Sequence, residues 1–101
     1  MAVKNFYATD IGKLYRSCGN CGTQVARHSS FTNVRVEKAK VVAGVNANYG
    51  DTTTVKDSCL KNSAVCWIFQ GTDNNSEEPT KIGSGPSGTA CVATAVKTSG
   101  C

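Results

Sequence analysis

The chain is poor in the residues that mark several common functional classes. It has a single histidine, His28, among 101 residues, so no HxxxH pair is present to complete a zinc site. The sequence identifies no carboxylate or hydroxyl partner for that histidine, and it reads as a surface residue. No two Lys or Arg residues are adjacent and no aromatic ladder interleaves with them, so the net charge of +4 does not form the dense basic track of a nucleic-acid binder. No apolar run is long enough to span a bilayer. Apolar residues spaced for a helix face, with caps at either end, are also scarce, so few helices are expected. Residues 1–8 begin Met-Ala-Val-Lys-Asn-Phe-Tyr and read as a strand rather than a secretion leader.

What the chain does have is cysteine. Cys18, Cys21, Cys59, Cys66, Cys91 and Cys101 make an even set in a small chain rich in Gly, Ser, Thr and Asn. That combination points to disulfides and an oxidising compartment. Cys18-x-x-Cys21 has the spacing of a zinc knuckle, but no second pair follows; a thioredoxin-like role lacks the helix it requires. The pairing expected is Cys18 with Cys21, Cys66 with Cys91, and Cys59 with Cys101.

Short β-branched and aromatic runs, separated by Gly, Asn, Asp and Ser turns, predict an all-β chain. The runs repeat. Val3-Lys4-Asn5-Phe6-Tyr7-Ala8 aligns with Phe31-Thr32-Asn33-Val34-Arg35-Val36 and with Val55-Lys56-Asp57-Ser58-Cys59-Leu60. Each is followed by a second strand candidate: Lys13–Arg16, Val41–Asn46 and Val65–Phe69. A strand–turn–strand unit recurring every ~20–30 residues fits the coils of a right-handed parallel β-helix. The competing architecture is a disulfide-stapled β-sandwich of the toxin or inhibitor kind, which the same strands permit. Residues 1–101 form one domain in this reading: about three coils over 1–70, then a loop and tail over 71–101 held by Cys91 and Cys101.

Two cations interrupt the second strand of the first unit. Lys13 and Arg16 sit in the otherwise apolar run before the Cys18–Cys21 turn. Such charges cost desolvation energy unless an anion meets them. They either hold a carboxylate inside the fold or face an anionic ligand. Positions three apart on a straight strand point to opposite faces, so a shared role demands a bend near Gly12 or Tyr15.

The segments Lys4-Asn5-Phe6-Tyr7, Gly12-Lys13-Leu14-Tyr15-Arg16-Ser17-Cys18-Gly19-Asn20-Cys21, Ala43-Gly44-Val45-Asn46-Ala47-Asn48-Tyr49-Gly50-Asp51-Thr52 and Glu78-Pro79-Thr80-Lys81-Ile82-Gly83-Ser84-Gly85-Pro86 resemble, in order and spacing, the family 3 polysaccharide lyases, which are pectate lyases. The resemblance implies a right-handed parallel β-helix and calcium-dependent β-elimination of polygalacturonate, the demethylated backbone of pectin in plant cell walls, by a secreted protein. It implies that Lys13 and Arg16 are active-site cations that bind uronate carboxylates, with Arg16 the catalytic helper. It also implies that the calcium-holding acidic residues and a further lysine lie on coils preceding this motif. Asp10 is the one acidic residue beside it and the candidate metal ligand here. The chain is thus expected to correspond to the C-terminal part of such an enzyme, to have little activity alone, and to expose a first-coil edge open to self-association.

Asn46, Asn48, Tyr49 and Asp51 can line a polar groove, with Asn46, Asn48 and Tyr49 the candidate substrate-binding residues; the alternative is an asparagine ladder or turn within the fold. Trp67 and Phe69 can stack on sugar rings or cover the flank of the solenoid. The alternative function is a non-enzymatic secreted protein, effector-like or carbohydrate-binding, on the same scaffold.

Overall fold

The asparagine or aspartate that recurs in each repeat marks a corner of the chain. In the computed structural model, which describes residues 1–101, Asn5, Asn33 and Asp57 all adopt left-handed backbone, with φ of 55°, 54° and 51°. Short polar side chains tolerate this region best. Five residues on, Asp10, Lys38 and Asn62 form a second set of left-handed corners. The first set is joined by a rung, Asn33 Nδ2 donating to Asn5 Oδ1 at 2.7 Å.

Strands run between and through these corners. In chain order they are β1 (Ala2–Thr9), β2 (Lys13–Arg16), β3 (His28–Glu37), β4 (Val41–Asn46), a 3-10 turn over Ala47–Tyr49, β5 (Thr52–Lys56), β6 (Cys59–Lys61), β7 (Ala64–Gln70), β8 (Thr80–Gly85) and β9 (Cys91–Thr94). One sheet has the order β1-β3-β5-β9, with β6 continuing in line with β5 along β3. The other has the order β2-β4-β7-β8. Neighbours within the coils are parallel, and the registers follow the sequence repeats: Val3 lies opposite Phe31 and Phe31 opposite Val55, while Ala8 lies opposite Val36 and Val36 opposite Leu60. This is a parallel β-helix of three coils.

Side chains that stack at equivalent positions fill the interior. Phe31, Val55, Val36, Leu60, Ala43, Cys66, Val45 and Ile68 all belong to one buried cluster. Burying each large member contributes ~1.5–3 kcal/mol. Coverage is uneven across the coils. Phe6 is 41% exposed, whereas Val34, its register partner one coil on, is 1% exposed. β1 and β2 each have a strand neighbour on one side only.

The tail corrects the expectation of a loop over 71–101. It contains β8, which pairs antiparallel with β7, and β9, which returns parallel onto β5. β8 has almost no apolar alternation to announce it; β7 supplies its partner. Disulfides join Cys18 to Cys21, Cys59 to Cys101 and Cys66 to Cys91. The last of these lies in the core and links the two sheets, with both cysteines no more than 1% exposed. No helix is long and apolar enough to cross a membrane.

Candidate functional site

β2 is not a strictly alternating strand. Adjacent Leu14 and Tyr15 both pack against the core, Tyr15 tilted on Phe31 with ring centroids 6.2 Å apart. The two flanking cations are left exposed. Both reach the same outer feature of the second sheet. Lys13 Nζ lies 5.4 Å from the ring centroid of Trp67, and the Arg16 guanidinium carbon lies 4.5 Å from that of Phe69. Those two rings meet edge to face, 6.5 Å apart. Lys13 and Arg16 therefore share one face.

β4 makes this approach possible. Arg16, Gly44 and Trp67 are in register across β2, β4 and β7. A Cβ at Gly44 would stand 3.1 Å from Phe69 Cε2 and 3.2 Å from Arg16 Cγ, so a larger residue would push the two apart. Glycine keeps the floor of the site low.

Lys81 joins the same face. It comes from β8, and its Nζ lies 4.2 Å from the Trp67 centroid. Its role was hidden in the sequence because antiparallel pairing of β8 on β7, rather than any local pattern, carries it there. Pro79, two residues earlier, packs so closely on Gly19 that no side chain fits at that position. Asn20 Nδ2 donates to the carbonyls of Asn75 and Glu77 at 3.4 and 3.0 Å, and Thr72 N donates to Gly19 O at 2.8 Å. The tail is thus stitched to the Cys18–Cys21 turn just before it delivers Lys81. Between them lies an open cleft of about 470 Å³ lined by Arg16, Ser17, Cys18, Gly19, Asn20, Glu78 and Pro79.

None of Lys13, Arg16 and Lys81 is in an ion pair. The one salt bridge joins Arg35 to Glu37 at 3.4 Å, on the β3 side of the molecule. Of the two sequence alternatives for Lys13 and Arg16, an internal carboxylate partner is absent.

The candidate polar groove is arranged differently. Asn46 is 1% exposed, and its amide donates to Ser17 Oγ at 3.3 Å and Cys18 O at 2.8 Å. Asn48 clasps Gly71 with both ends of its side chain, Nδ2 to Gly71 O at 2.8 Å and Gly71 N to Oδ1 at 2.7 Å. Asp51, also 1% exposed, accepts from Arg27 N and Asn46 N, both at 2.9 Å. The asparagine side chains are consumed by the fold, as the ladder-or-turn alternative describes; Tyr49 sits half-buried at the end of the 3-10 turn. His28 is exposed and its Nδ1 lies 2.6 Å from Thr52 Oγ1, a partner one coil away that the sequence did not identify.

The residues present do not fit a calcium site. No three His, Cys, Asp or Glu side chains gather to hold a metal. Asp10 stands exposed at a left-handed corner, and one carboxylate does not furnish the six to eight oxygens that calcium takes.

The pectate lyase family model matches residues 1–76. The chain belongs to the pectate lyase family. It is 43% identical over 89 residues to pectate lyase H of Emericella nidulans, covering 86% of this chain and 34% of that protein. It is 46% identical over 90 residues to probable pectate lyase D of the same fungus, with the same coverage. The chain spans about a third of the length of the curated relatives it matches. Among solved pectate lyases, Pel3 of Pectobacterium carotovorum superposes with a TM-score of 0.83 at 28% identity, over 96% of this chain and 34% of that one. PelI of Erwinia chrysanthemi, crystallised with tetragalacturonic acid, gives 0.81 at 30% identity, over 96% of this chain and 37% of that one. Members of the pectate lyase family thus share the three-coil scaffold that carries the cationic face.

Proposed function

We propose that this chain forms the cationic side of a polygalacturonate site in a secreted pectate lyase. The observation that carries the reading is the pair Lys13 and Arg16, brought to one exposed face and left without a carboxylate partner. A uronate polymer presents a carboxylate on every ring. A guanidinium binds carboxylate in a fixed two-pronged geometry and keeps its charge at any working pH, whereas an ammonium acts as a compact point charge.

In β-elimination a base takes the proton on C5 of a galacturonate. The C5–H electron pair becomes the C4–C5 double bond, and the C4–O pair leaves with the glycosidic oxygen. Negative charge builds toward the C5 carboxylate as the proton departs. Arg16, placed against that carboxylate, stabilises the developing charge and is the catalytic group of the pair; Lys13 neutralises the same or the adjacent uronate. No cluster of metal-holding side chains forms among these residues, and this reading assigns any calcium and the base to other parts of the enzyme. Three disulfides in so small a domain favour an oxidising, extracellular setting.

The chain alone is accordingly expected to bind oligogalacturonates with little turnover. Ultraviolet absorbance of the unsaturated product, followed on polygalacturonate with calcium, checks this. Turnover equal to that of a full-length relative would overturn the division of labour. A chain that binds no oligogalacturonate would overturn the reading altogether.

A further inference from the structure

The reading above uses two cations, but the face contains three. Lys81 is nearer to Trp67 than Lys13 is, at 4.2 Å against 5.4 Å from the ring centroid, so the two ammonium groups are separated by no more than those two distances together. Two like charges gain nothing from sharing one ring, and neither is in an ion pair that would account for its position. A cation over an exposed aromatic face contributes only ~0.5–1 kcal/mol, which does not require two lysines on one ring. The side chain of Lys81 is exposed, so packing does not account for it either. Two ammonium groups gathered at one half-buried indole suit a polyanion that also carries a flat apolar surface.

We propose that Lys81 is a third uronate-binding residue, reaching the site from the tail, and that Lys13, Trp67 and Lys81 together form one saccharide subsite. Its ring would lie against the part of the indole left open while the two lysines meet uronate carboxylates. Arg16 and Phe69 form the neighbouring position. The tail is then part of the binding surface, which explains why its approach is fixed by Asn20, Thr72 and Pro79 rather than left loose. The inference rests on the polygalacturonate reading and extends it to a residue outside the strand motif.

Trp67 is the only tryptophan, so its fluorescence reports on this subsite alone. The chain is titrated with tetragalacturonate, with calorimetry as a second readout and thermal melts to verify folding. Lys81→Met keeps the stem over the ring and removes the charge; it is expected to weaken binding about tenfold, as loss of one charge-assisted contact does. Lys81→Arg restores binding, Lys4→Met on β1 leaves it unchanged, and the loss caused by Lys81→Met shrinks at high salt. The fully methyl-esterified tetramer, which carries no charge, binds the wild type and Lys81→Met alike. If Lys13→Met and Arg16→Met weaken binding while Lys81→Met binds as the wild type does, the third position is overturned and the two-cation site stands. If the wild-type chain does not bind tetragalacturonate, both fall.

Discussion

Two polar regions lie side by side on this β-helix and are used in opposite ways. Around Asn46, Asn48 and Asp51, every side chain is matched to a named partner within the fold, two of the three residues being almost wholly buried. Around Lys13, Arg16 and Lys81, the charged ends rest on aromatic rings and meet no carboxylate. The first region holds the backbone in place; the second leaves its electrostatic capacity free for something else. Residue type alone would assign both to a sugar-binding groove. Satisfaction of the polar groups is what separates them, because a buried side chain already bonded to backbone would have to abandon those bonds to serve a ligand.

The sharpest way to break the contrast is Asp51→Ala. It strips the acceptor from two backbone N–H groups, those of Arg27 and Asn46. We expect a loss of about 3 kcal/mol in a denaturant melt, with unchanged tetragalacturonate affinity in the molecules that remain folded. An affinity change larger than the stability change would move Asp51 into the site. Arg16→Ala should do the reverse: about tenfold weaker binding by calorimetry, and a melting shift equivalent to less than ~0.5 kcal/mol because the side chain is exposed. A variant that melts much earlier yet binds normally would make Arg16 a structural residue. The smallest effect is expected from Gly44→Ala. The added methyl crowds Arg16 and Phe69 without removing a charge, so binding should fall about threefold, at a stability cost of about 1 kcal/mol. Improved binding would show that Arg16 is held too close to the ring in the wild type.

Much of the scaffold was readable because its corners have a chemical signature. Asn5, Asn33 and Asp57 recur at positions where the backbone must be left-handed, and the apolar residues around them stack in the register that the alignment implies. The second corners are less legible, since Lys38 carries no turn-forming side chain to mark it. Lys13 and Arg16 stood out because a charge in an apolar run needs a reason. Lys81 did not, because an isolated lysine in a Gly- and Ser-rich tail is unremarkable until β8 folds back on β7. The same absence of apolar alternation concealed β8 and β9. The role of Asn46 depends on burial beneath the Cys18–Cys21 turn, a contact between residues 28 positions apart, and no local pattern announces it.

The stitching of the tail to that turn sets an order of events. A chain emerging amino end first exposes β1 through β7, with Lys13, Arg16, Trp67 and Phe69, before it exposes β8. Lys81 is placed only when β8 doubles back, and Cys66 finds its partner only when Cys91 has arrived and β9 has docked on β5. The third charge of the cationic face is therefore among the last to be placed. An arrested or clipped chain lacking the final two strands would present a site with two charges instead of three and an unpaired thiol in its core.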